Sequence, residues 1–87
     1  MPERIEEKLY PFLSNRFFIT SVPDAQLGEK VVLLIEDKIS DGLKETFRLA
    51  QLTDFETPRE ILFSEKFKSS ENGKILRKET LEHVLKN

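Results

Sequence analysis

A glycine followed by a lysine, Gly73-Lys74, sits at the tip of a polar run that begins at Ser69. Two aliphatic residues, Ile75 and Leu76, close the run before Arg77 and Lys78. A lysine there offers an anionic ligand a compact ammonium that stays charged near neutral pH. Gly73 permits a positive φ, or a close approach of backbone to ligand. The pair invites comparison with the phosphate-binding loop Gly-x-x-x-x-Gly-Lys-Ser/Thr. In that pattern the first glycine would fall on Lys68 and the hydroxyl residue on Ile75, so two required positions fail. No strand–loop–helix unit with parallel partners is expected around them either. The P-loop is excluded. Chemistry alone then leaves two alternatives for Lys74. It is a cation presented on a mobile loop, shaped by Asn72 and Gly73 and anchored by Ile75, or it is a solvated lysine on a plain surface turn.

Little else in the chain could do chemistry. There is one histidine and no cysteine, and no His-x-x-x-His or other clustered ligand set, so no metal site is expected. His83, between Glu82 and Val84, reads as a surface or interface residue. No Gly-x-Ser-x-Gly elbow supports a serine nucleophile. The adjacent acids Glu6 and Glu7 read as a solvated helix face. Lys66, Lys68, Lys74, Arg77 and Lys78 are interrupted by Glu65, Glu71 and Glu79, without the repeated aromatic interleaving that base stacking uses, which argues against nucleic acid.

The elements that must position Lys74 follow from periodicity. Ile5, Leu9, Phe12 and Leu13 fall on one helical face, with Pro2 and Glu3 suiting the helix start and an end near Ser14-Asn15. Arg16 to Val22 is β-branched and aromatic and predicts a strand, broken by Pro23-Asp24 and followed by a turn at Gly28. Val31 to Glu36 predicts a second strand, apolar enough to be central and covered on both faces. A helix is expected from Asp41 to about Leu52, capped by Ser40 or Asp41, with Leu43, Phe47 and Ala50 on one side. Arg59 to Ser64 predicts a short third strand, residues 65–74 a loop that nothing obliges to pack, and Lys78 to Lys86 a final helix. The predicted class is α+β: a small three-stranded sheet with helices packed on it, in the order α-β-β-α-β-loop-α.

Bulk properties set outer limits. At 87 residues the chain is a single small domain, residues 1–87. Its 14 basic and 16 acidic side chains give a net charge of −2, with no general attraction to nucleic acid or anionic membrane. The longest apolar run, Val31 to Ile35, is far short of the roughly 20 residues a membrane span needs, so no membrane insertion is expected. With zero cysteines, the expectation is a cytoplasmic protein.

Four segments, in order and spanning nearly the whole chain, resemble the C-terminal domain of the adenylate-forming enzymes. That family comprises acyl- and aryl-CoA synthetases, luciferases and peptide-synthetase adenylation domains. Pro2-Glu3-Arg4-Ile5-Glu6 looks like the family's opening helix, and Val22-Pro23-Asp24 through Gly28-Glu29 like its Val-Pro-Asp-x-x-x-Gly-Glu hairpin. Pro58-Arg59-Glu60-Ile61-Leu62-Phe63 resembles its Pro-x-x-Ile-x-Phe strand, and Asn72-Gly73-Lys74-Ile75-Leu76-Arg77 its closing Ser-Gly-Lys-Ile-x-Arg. The pattern departs at Lys68, Ser70 and Asn72, where the family often has Pro, Thr and Ser. The lysine is kept.

The resemblance implies a two-step reaction. A small-molecule carboxylate attacks the α-phosphate of ATP held with Mg, giving acyl-adenylate and pyrophosphate. The small domain then rotates, and a thiol, usually coenzyme A, displaces AMP. By position Lys74 matches the lysine that steadies charge in the first step, with Asn72, Gly73, Ile75 and Arg77 as its supporting loop and Pro23, Asp24 and Gly28 as a structural turn. It also matches a regulatory acetylation site, where loss of the charge would disable that step. The ATP, magnesium and acyl sites would belong to a large N-terminal domain of the same polypeptide. No cofactor is therefore expected on this chain alone. The hairpin at Gly28 to Glu36 and the strand at Pro58 to Phe63 are similar to the o-succinylbenzoate–CoA ligases of menaquinone synthesis. The competing reading is a freestanding, non-catalytic interaction module of the same fold.

Overall fold

A computed structural model describes residues 2–38 and 42–86. Its elements are α1 (Pro2–Leu9), β1 (Phe17–Asp24), β2 (Gly28–Glu36), α2 (Leu43–Leu49), β3 (Glu60–Ser64) and α3 (Arg77–Lys86). The α+β class and the predicted element order hold.

α1 is shorter than its apolar spacing suggests. Pro11 has no N–H and its ring clashes with the carbonyl four residues back, so the α-helix stops at Leu9 and a 3₁₀ turn, Tyr10–Phe12, follows. Ile5 and Leu9 are buried, Leu13 packs partly against them, and Phe12 points largely to solvent. The predicted strand end at Val22 is also displaced. β1 continues through Pro23, paired with Glu29, to Asp24, paired with Gly28. Proline is tolerated because β1 is an edge strand.

The sheet order is β1-β2-β3, antiparallel between β1 and β2 and parallel between β2 and β3, with Leu33 opposite both Ile19 and Ile61. A parallel pair needs a crossover, and α2 supplies it. Alternation along β2 divides the core. Leu33 and Ile35 join Phe17, Ile19, Ile5, Leu9, Leu43, Phe47 and Ala50 in one cluster. Val32 and Leu34 join Phe18, Val22 and Phe67 in another, with Ile75, Leu81 and Val84 packed against it. β2 is thus central and covered on both faces, as its composition requires.

α2 begins at Leu43, with Gly42 at φ 76° as its N-cap and no side-chain cap; the predicted start at Asp41 and the predicted capping residues Ser40 and Asp41 lie outside the described residues. Gln51, at φ 57°, turns the chain out of the helix. In the loop beyond, Glu56 Oε1 accepts the Lys8 ammonium at 2.6 Å and the Thr53 N–H at 3.0 Å, tying α1 to the approach to β3. The lysine first, and the amide second, push the Glu56 carboxyl down to about 2. Glu36 is also held below the ordinary carboxylate range, chiefly by Arg16. For carboxyls depressed in this way, the unfolded chain binds more protons, so their stabilisation is full above the unfolded pKa of roughly 4.3 and vanishes as pH falls through the folded value. The urea midpoint should therefore fall steadily between about pH 4.5 and pH 2, and less steeply in Glu56→Gln. Parallel pH profiles for the two proteins would contradict this account.

Candidate functional site

Lys74 lies between β3 and α3, in a segment folded back on itself as a small hairpin. Ser69 and Ile75 form an antiparallel bridge. Ser70 donates its N–H to the Lys74 carbonyl at 2.9 Å, and Leu76 donates to the Lys68 carbonyl at 2.8 Å. Gly73 turns the tip at φ 82°, and its N–H goes to the Ser70 carbonyl at 2.9 Å. Lys74 N–H is taken by Ser70 Oγ at 3.2 Å. The loop does connect a strand with a parallel neighbour to a helix, contrary to expectation. It is still no P-loop, because the Ser70, Gly73 and Lys74 amides are spent inside the hairpin rather than left open to cradle a phosphate. Glu71, Asn72, Gly73 and Lys74 are exposed.

The expectation that nothing obliges this loop to pack is corrected by Phe67. Its ring is only 2% exposed and meets Phe18 edge-to-face, with centroids 5.3 Å apart. Ile75 packs against the same cluster. Lys68 N–H donates to Oγ1 of the buried Thr80 in α3 at 3.1 Å, so the outgoing limb is tied to the helix that follows.

Arg77 closes the hairpin from behind. It donates to Glu6 Oε1 at 3.1 Å, and its guanidinium lies 5.6 Å from the centre of the Phe18 ring. Glu6 is not on a solvated face, as adjacency to Glu7 suggested: it is 5% exposed, and its other oxygen accepts the Ile19 N–H from β1 at 2.9 Å. Glu7 alone faces solvent. Because Arg77 is half exposed, the ion pair itself contributes little; the greater part of Glu6's value is the buried amide it satisfies. Glu6→Ala should cost about 1–3 kcal/mol, read as a lower urea midpoint, since it strands that N–H. An unchanged midpoint would refute this role.

Two further residues at the hairpin base went unseen in the sequence. Arg16, just before β1, makes a two-pronged pair with Glu36 at the end of β2, at 2.9 and 2.5 Å. Glu36 Oε2 also accepts the Phe67 N–H at 2.7 Å, while Arg16 donates to Ser69 Oγ at 3.2 Å. Asp24, Pro23 and Gly28 lie at the far end of the β1–β2 hairpin. There Asp24 Oδ2 accepts the amides of Gln26 and Leu27 at 3.1 and 2.8 Å, and Gly28 adopts φ 81°. These three shape a turn and are not brought to Lys74.

Among the described residues no group of His, Cys, Asp or Glu could hold a metal, and no buried side-chain nitrogen or oxygen lacks a partner. No described helix is long and apolar enough to cross a membrane. What the arrangement can offer is one cation on an exposed tip above a well-held base.

No family model matches the chain. A curated relative, 2-succinylbenzoate–CoA ligase of Lactococcus lactis, is 30% identical over 79 residues, covering 90% of this chain; the chain spans only 18% of that relative's length. Among solved structures, an AMP-forming acyl-CoA synthetase/AMP-acid ligase II-like protein of Dyadobacter fermentans superposes with a TM-score of 0.81 at 26% identity. That match covers 97% of this chain and 26% of the other. ATP-bound MatB of Rhodopseudomonas palustris shares the fold, with a TM-score of 0.73 at 18% identity over 94% of this chain and 17% of its own. In sequence and in fold, the chain is similar to a segment of the AMP-forming acyl-CoA synthetases, and the resemblance carried by its four motifs is borne out.

Proposed function

We propose that this chain is the small C-terminal domain of an ATP-dependent acid–CoA ligase, and that Lys74 is its contribution to the adenylation step. The observation that carries the reading is the hairpin itself, which is bound to the core at its base and bare at its tip, with a lysine at the turn. An ammonium so placed can bridge the attacking carboxylate and the oxygens of the α-phosphate, where charge is redistributed in the transition state. Asn72 and Gly73 form the turn, Ile75 seats it, and Arg77 braces it. Among the described residues no group of acids or histidines could hold magnesium, and both ATP and the metal would be held by a large N-terminal domain of the same polypeptide. Coenzyme A would accept the acyl group in the second step. Use of ATP and coenzyme A, both abundant in the cytoplasm, supports a cytoplasmic reaction.

The Lactococcus relative supports 2-succinylbenzoate as the acid, and with it a role in menaquinone biosynthesis. The test is a graft in which this chain replaces the matching segment of the Lactococcus ligase. The hybrid should form the CoA thioester from 2-succinylbenzoate, ATP and coenzyme A. A folded hybrid that releases no pyrophosphate would overturn the reading.

A further inference from the structure

A tip lysine is useful only if its backbone is held at a fixed place, since the side chain has four rotatable bonds of its own. The returning limb is seated by Ile75 and Arg77. The outgoing limb has a separate clamp, drawn from residues far away in sequence. Glu36 binds Phe67 N–H with the same carboxylate oxygen that receives Arg16. Arg16 reaches past it to Ser69 Oγ, and its guanidinium lies 5.9 Å from the centre of the Phe67 ring. The sheet holds this clamp in turn: Glu36 N–H donates to the Arg16 carbonyl at 2.8 Å, and Asn15 Nδ2 donates to the Glu36 carbonyl at 2.9 Å.

An ion pair as exposed as Arg16–Glu36 contributes little to global stability. Its geometry does something else. Two directed hydrogen bonds, Phe67 N–H to Glu36 and Arg16 to Ser69 Oγ, join the paired ends of β1 and β2 to the two residues from which the hairpin springs. We infer that Arg16 and Glu36 are positioning residues for Lys74, fixing the outgoing limb of the hairpin so that the tip lysine meets its anionic target. This rests on the reading of Lys74 as the reacting cation.

The experiment has two arms. In the first, amide hydrogen exchange is followed in the 87-residue chain for wild type, Arg16→Lys, Glu36→Leu and the reversed pair Arg16→Glu/Glu36→Arg. The reversed pair restores opposite charges but gives Phe67 N–H no acceptor. In Glu36→Leu and in the reversed pair, the Ser70 and Leu76 amides should lose roughly tenfold or more of their protection, while the β2 amides change little. Arg16→Lys, which keeps the charge and loses the fork, should fall between. If the reversed pair protects like wild type, or if β2 and the hairpin loosen together, the clamp is merely structural and the inference fails.

In the second arm the same substitutions are placed in the graft. Adenylation should slow with KM for ATP little changed, and thioester formation from supplied acyl-adenylate should stay intact. Full adenylation from a loosened hairpin, in a graft where Lys74→Ala is crippling, would overturn the positioning role alone. A harmless Lys74→Ala would instead overturn the reading beneath it.

Discussion

Lys74→Ala should reduce acyl-adenylate formation by about 100- to 1000-fold, on the order of 3–4 kcal/mol of transition-state stabilisation, the usual loss for one pre-positioned donor. The substitution removes only the ammonium. Lys74 is exposed, and its backbone bonds, to Ser70 Oγ and from Ser70 N–H, do not involve the side chain. Gly73 still supplies the turn at φ 82°. Folding and urea midpoint should therefore be unchanged, separating this effect from every structural variant. The second half-reaction, thioester formation from supplied acyl-adenylate, should proceed within a few fold, because a donor used only in the first transition state costs nothing in the second. Rapid-quench single turnovers on the graft measure both steps. Equal damage to the two would show that Lys74 binds or holds the domain generally and does not act on the α-phosphate.

The second large effect is on stability. Phe67→Ala should cost about 3–5 kcal/mol, the usual range for removing a buried phenylalanine whose surroundings relax only in part. Phe67 is wedged between Phe18, near the start of β1, and the Arg16 guanidinium. The backbone there cannot collapse into the space, because Phe67 N–H is held by Glu36 and Lys68 N–H by Thr80. In a domain of this size, with total stability of order 5–10 kcal/mol, the loss would leave a substantial unfolded population on mild heating. Phe67→Leu, which keeps most of the volume, should recover more than half of it. Urea or thermal unfolding decides the matter: a shift below about 1 kcal/mol would mean that the loop is not part of the core.

These two residues also mark how far the sequence could be read. Strand and helix order was legible because the segments are locally unambiguous, and VVLLIE could only be central. The Lys74 tip was legible as a motif. Pro11 was present to be read, but the apolar spacing of Phe12 and Leu13 concealed its effect on α1. The parallel setting of β3 was not legible, since it depends on which way α2 crosses the sheet. The hairpin base was hidden for a different reason. Arg16, Glu36 and Phe67 are brought together across 20 and 31 residues of sequence, and each alone looks ordinary. Phe67 was the signal available: a lone aromatic in a polar run demands a place to go. Glu6 was misread because adjacency to Glu7 suggests a shared face, whereas neighbours in a helix point about 100° apart.

The Glu6 carboxylate has a consequence beyond bracing Arg77. β1 is an outer strand, and amides along a strand alternate in direction, so Ile19 and Pro23 turn the same way, out from the sheet. One of these positions has its N–H occupied by Glu6, and the other, being proline, has none to give. A second chain approaching this border would find no donor at either site with which to zip up an extra strand. Ser21, between them, turns its N–H the same way, so the acid and the imino acid that the opening-helix and hairpin motifs already contain break up the row of donors along this border and make it a poorer template for an added strand.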